Sequence, residues 1–149
     1  MDALPLQLKR LLTTRDNSWF ELVEKDRLLY LQFNAVCDAR GESFEAFNRR
    51  LWNFYHQNRE KVEKLVVDLR YNGGGNGNLL RPLIHSLIKE DAINQRGMLF
   101  VITGAGTFSA AVSWIARMRE HTEVIVVGEP AAGRLNWCSD VTSLRLGCR

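Results

Sequence analysis

Between Leu99 and His121 an apolar run, a glycine turn and an apolar-faced helix follow one another, and this succession narrows the folds open to the chain. Leu99, Phe100, Val101 and Ile102 have the apolar, partly β-branched character of a buried strand. The run ends at Thr103, where Gly104 and Gly106 supply a permissive turn. Ser109, Ala110, Ala111, Val112, Trp114, Ile115, Ala116 and Met118 then follow a helical pattern, closed by Arg117 and Arg119 where cations suit the helix dipole. Ser109 therefore stands at a strand-to-helix turn, beside backbone N–H groups that are suited to a developing oxyanion. Two simpler readings remain open. Ser109 is also a common helix cap. Gly104-Ala105-Gly106-Thr107-Phe108-Ser109 also approximates the dinucleotide fingerprint, with Glu129 at the place of a ribose-binding acid, although Ser109 occupies the third glycine position.

A second unit of the same kind precedes it. Leu65-Val66-Val67-Asp68-Leu69 reads as a buried strand and runs into Arg70-Tyr71-Asn72-Gly73-Gly74-Gly75-Asn76-Gly77-Asn78. So many glycines leave the backbone free to turn several N–H groups towards one point, but no Gly-Lys-Ser/Thr follows, which excludes a Walker phosphate loop. Leu79 to Lys89 is helical, with Pro82 tolerated near its first turn. Upstream, Trp19 to Val23 and Leu28 to Phe33 read as a hairpin joined through Lys25-Asp26-Arg27. Ser43 caps a helix reaching about Asn58, with Phe44, Phe47, Leu51, Phe54 and Tyr55 along its core face. Leu4 to Leu12 is a short helical candidate, Val124 to Val127 a further strand, and Val141 to Leu146 a last one. Strands alternating with helices predict an α/β fold with a mostly parallel sheet and right-handed crossovers.

Length and composition fit this reading. The 149 residues suffice for one domain with a real core. A net charge of +3 with scattered basic residues gives no nucleic-acid face, and no apolar run is long enough to span a bilayer. Cys37, Cys138 and Cys148 form no C-x-x-C pair, and His56, His85 and His121 have no metal-ligand spacing, so neither a metal nor a cofactor is expected. The start, Met1 to Leu12, does not read as a secretory signal, and the unpaired thiols suit a cytoplasmic chain; a fragment of an exported parent would look the same.

Three motifs in order carry a resemblance: Asp68-Leu69-Arg70-Tyr71-Asn72-Gly73-Gly74-Gly75, Thr107-Phe108-Ser109-Ala110-Ala111 and Val127-Gly128-Glu129-Pro130-Ala131-Ala132-Gly133. Together they resemble the catalytic core of the carboxyl-terminal processing (tail-specific) serine peptidases, including the tricorn core and the interphotoreceptor retinoid-binding protein relatives. The resemblance spans roughly Trp19 to Leu146. It implies a Clp-protease/crotonase-like fold of stacked βαβ-type units in one truncated or minimal domain, acting on a peptide or protein substrate and assembling as a homo-oligomer. It implies Ser109 as nucleophile, the N–H of Ala110 as one oxyanion donor, and a glycine of Gly73-Gly74-Gly75, foremost Gly74, as the other. Asp68, Arg70 and Asn72 would brace the loop. The family's base lysine falls about 25 residues after the serine, where this chain has Arg134. A guanidinium keeps its proton at working pH, so it does not act as a base. Cys138 falls near the residue that orients that lysine in some members, and the histidine and glutamate of the tricorn-like branch would fall upstream and downstream of the stretch this sequence covers. The expectation is therefore a serine peptidase core impaired as an isolated chain, with a non-catalytic peptide-binding or assembly module as the alternative and dinucleotide binding a more distant one.

Overall fold

A computed structural model of the chain describes residues 17–133. The helix expected at Leu4 to Leu12, the strand expected at Val141 to Leu146, Arg134, Cys138 and Cys148 all lie outside those residues.

The hairpin forms as its pattern predicts. Strand β1 (Ser18–Val23) and strand β2 (Leu28–Phe33) pair antiparallel, with Ser18 opposite Phe33 and Val23 opposite Leu28. A 3-10 turn over Glu24–Asp26 joins them, and Arg27 closes it in the left-handed region at φ 51°. Helix α1 (Phe44–Gln57) starts where Ser43 accepts the N–H of Ala46 at 3.1 Å, an N-cap of the ordinary kind. Strand β3 (Lys64–Asp68), a 3-10 turn over Gly77–Leu80 and helix α2 (Arg81–Lys89) follow, then strand β4 (Leu99–Thr103), helix α3 (Ala110–His121) and strand β5 (Ile125–Gly128). The expected strand at Val124 to Val127 thus sits one residue further on.

The five strands lie in the order β1-β2-β3-β4-β5, and β2 to β5 are parallel. This is an α/β fold with a mostly parallel sheet and an N-terminal hairpin. One face carries the core. Leu29, Leu31 and Phe33 of β2 form a single buried cluster with Leu65 and Val67 of β3 and Leu99 and Val101 of β4. Phe44, Phe47, Leu51 and Tyr55 of α1, Leu83 and Leu87 of α2, and Trp114 and Met118 of α3 complete it. Strand alternation sends Tyr30, Gln32, Val66, Asp68, Phe100 and Ile102 to the opposite face. The parallel strands all end at one edge of the sheet, and the two glycine turns emerge there side by side. Among the described residues no strand order reverses, so these five strands form no switch point of the kind at which a doubly wound fold holds a dinucleotide.

Candidate active site

The turn after β4 builds a half-buried serine on a strained backbone. Ser109 has φ 54° and ψ −124°, in a region that side-chain-bearing residues seldom occupy. It precedes α3 but does not cap it through its side chain, because no hydrogen bond from its hydroxyl satisfies the helix. The plain capping reading of the sequence is therefore corrected: the φ value turns the side chain away from the N–H groups it would otherwise accept. Among the described residues, no side chain hydrogen-bonds to Ser109 Oγ.

The glycine loop after β3 comes directly against it. Gly74 has φ 101°, and a Cβ there would lie 2.5 Å from Ser109 Cβ, 3.0 Å from Ser109 Oγ and 3.1 Å from the nitrogen of Ala110. Only a glycine permits that approach. Gly75, at φ 136°, is pressed against a third segment: its added Cβ would meet the Val36 carbonyl oxygen at 2.2 Å. Val36 N–H donates to Gly74 O at 2.8 Å and Val36 O accepts from Asn76 N–H at 2.8 Å, so the loop is paired locally like a short parallel strand. Along such a strand the polar groups of alternate residues face opposite ways, so the N–H of Gly75 points away from Val36.

Buried side chains hold the two turns together. Asn72 is fully buried; its amide donates to Phe33 O at 2.8 Å and its carbonyl accepts Gly74 N–H at 2.9 Å. Its backbone carbonyl accepts Phe108 N–H at 2.9 Å, one residue before Ser109. Thr107, also fully buried, donates to Leu69 O at 2.7 Å and accepts Gly104 N–H at 3.0 Å. Asp68 accepts from the backbone N–H of Arg70 at 3.0 Å, from its guanidinium, and from Tyr30 OH on β2. Burial, then the hydrogen bond to Asp68, pushes the Tyr30 phenol well above its usual range, and Asp68 holds the Arg70 guanidinium firmly protonated. Arg70 in turn flanks the second turn, since an added Cβ on Gly106 would lie 2.7 Å from its carbonyl oxygen. The third motif closes the group. Glu129 N–H donates to Thr103 O at 3.1 Å and Ala132 N–H to Thr107 O at 3.0 Å, which leaves Gly133 with its Cβ position 3.5 Å from the Ser109 nitrogen.

The structure thus gathers Asp68, Arg70, Asn72, Gly73–Gly75, Ser109 and Ala110 at one end of the sheet. It does not bring His56 or His121 there. His56 ends α1 beside Glu90, at 3.9 Å, and His121 ends α3, the far end of that helix from Ser109. Gly74, expected as an oxyanion donor, has its N–H already taken by Asn72, whereas the N–H groups of Gly75 and Ala110 donate to nothing among the described residues. Thr107, Val36 and Tyr30 had no role in the sequence reading. Thr107 lies within the second motif, whereas Val36 and Tyr30 carry no local signal because their partners are distant in sequence.

No protein-family model matches the chain, and no curated protein matches it in sequence. Solved structures share its fold. A protein of Parabacteroides merdae assigned as a peptidase is similar with a TM-score of 0.62 and 14% identity, over 85% of this chain and 48% of its own. An assigned S41 protease of Bacteroides fragilis gives 0.54 and 21% identity over 70% of this chain and 36% of its own. The photosystem II D1 C-terminal processing protease gives 0.51 and 16% identity over 70% of this chain and 30% of its own. The chain has the fold of the carboxyl-terminal processing (S41) peptidases and spans between about a third and a half of the length of these structures.

Proposed function

We propose that this chain carries the nucleophile and oxyanion half of a serine peptidase site. Ser109 Oγ attacks a peptide carbonyl, and the N–H groups of Ala110 and Gly75 receive the oxygen that gains charge. The observation that supports this most directly is the strained Ser109 backbone with Gly74 packed against its Cβ and Oγ. Strain of this kind costs of order 1–3 kcal/mol and presents the hydroxyl clear of the helix it precedes. Assigning the second donor to Gly75 follows from the engagement of Gly74 by Asn72. Asn72, Thr107 and Asp68 act as positioning residues that fix the two turns before substrate arrives, the condition under which oxyanion donors are most effective.

Serine at its ordinary pKa is a weak nucleophile and needs a base within hydrogen-bond reach. None contacts Ser109 Oγ among the described residues, and Arg134 occupies the position of the family's lysine. Turnover by the isolated chain is therefore low, by roughly the 10²–10⁴-fold that such a base contributes. The second reading, a peptide-binding module of the same fold, rests on that same Arg134. Both use a peptide or protein as ligand, and self-association remains part of the proposal. A fluorophosphonate serine probe separates the readings. Labelling confined to Ser109 and lost in Ser109→Ala supports a competent nucleophile, and absence of labelling on folded chain refutes it.

A further inference from the structure

Away from the serine, the carboxyl end of α3 and the start of β5 enclose a polar groove of about 600 Å³, lined by Arg96, Arg119, Thr122, Glu123 and the strand residues Val124 to Val126. The length of α3 separates it from Ser109, about 17 Å along a helix of this size. Its frame is fixed. Asn94 accepts Glu123 N–H at 2.9 Å, and Thr122 N–H and Oγ1 both bond to Met118 O. Arg96 and Arg119 are exposed and have no carboxylate partner among the described residues, in contrast to Arg27, Arg50 and Arg59. Glu123 on the same rim does not pair with Arg119 one turn before it and leaves the groove net positive.

Among the described residues, no strand pairs with the edge of β5 turned away from β4. Glu129 N–H donates inward to Thr103 O, and polar groups alternate along a parallel strand, so the N–H and C=O groups of Val124, Val126 and Gly128 face outward. Such a row is a template for another strand. We propose that the β5 edge and the Arg96/Arg119 groove form an interaction surface for an extended acidic segment of a partner polypeptide. The segment adds to the sheet through the outward groups of Val124 and Val126 and places a carboxylate between the two guanidinium groups. Charge complementarity selects this partner: main-chain pairing supplies register, and the unpaired arginines favour Asp or Glu over neutral residues at the groove end. The surface is independent of the Ser109 chemistry and stands whether or not the serine reacts.

The test measures binding of a fluorescein-labelled octapeptide alternating valine and aspartate to the full chain by anisotropy, with the amides followed by NMR. The expected result is saturable binding that shifts the amides of Val124, Val126 and Gly128. Binding should weaken about tenfold with asparagine in place of aspartate, and equally in Arg96→Gln/Arg119→Gln. Raising salt from about 50 to 300 mM should weaken it too. Both arginines are exposed, so the double variant keeps the fold, which its circular dichroism verifies. Equal affinity for the asparagine peptide, unchanged binding by the double variant, or shifts elsewhere overturns the proposal. So does strong hydrogen-exchange protection of the Val126 and Gly128 amides in the free chain, which would show the edge already paired.

Discussion

Thr107→Val isolates the bond that ties the two turns. The change is nearly isosteric, and position 107 is fully buried. It removes both the 2.7 Å bond to Leu69 O and the 3.0 Å bond from Gly104 N–H. Leu69 O keeps Asn72 N–H as a donor, at 2.9 Å, whereas Gly104 N–H has no other acceptor among the described residues. One lost bond costs about 1 kcal/mol and one buried donor left unsatisfied about 1–3 kcal/mol more. The variant should therefore lose about 2–4 kcal/mol, or roughly 10 °C in melting temperature for a domain of this size. Thr107→Ser keeps the hydroxyl and should lose only about 1 kcal/mol for its methyl group. Urea titration of the three proteins measures this, with the slope against urea expected to stay constant. If the valine variant is as stable as the serine variant, the Thr107 hydroxyl does not join the turns and the account of how they are held is wrong.

Gly74→Ala places a Cβ within 2.5 Å of Ser109 Cβ at φ 101°, so it should abolish fluorophosphonate labelling of Ser109. Gly41→Ala, with a similar φ of 91° but open space around it, should cost only about 1–2 kcal/mol of backbone strain and leave labelling intact. Stability should fall as pH rises from about 10 to 12. Burial, then the Glu90 charge, pushes the Tyr55 phenol up to about 12, so the unfolded chain releases that proton first. Urea midpoints across this window should therefore decline, less steeply in Tyr55→Phe, and a flat profile contradicts the assignment. Arg134→Lys should give at most a trace of casein hydrolysis; robust wild-type turnover that disappears in Ser109→Ala would show that another residue is the base.

The parts of the fold that were legible in the sequence depend on local pattern. The hairpin, Ser43-capped helix and both strand-glycine-helix units are set by residues within a few positions of one another, and each forms within one or two residues of its expected bounds. The meeting of Gly74 with Ser109 was legible only through the spaced motifs, because 35 positions of chain separate the two residues. What no local pattern carries is the hydrogen-bond bookkeeping across segments. Asn72 withdraws the Gly74 N–H, Val36 pins Gly75, and Tyr30 reaches Asp68 from a neighbouring strand. Each is a contact between residues that adjoin only once the sheet has assembled.

The strand order has a consequence for how the molecule is made. Each strand pairs with the one before it in the chain, so the sheet can grow by one strand at a time as the polypeptide leaves the ribosome. The β1-β2 hairpin closes the shortest loop and offers the first edge; β3, β4 and β5 then dock in turn, each bringing its helix or following loop. Gly74 and Ser109 meet only after β4 has joined, so the site is completed late, on a scaffold that is already largely laid down.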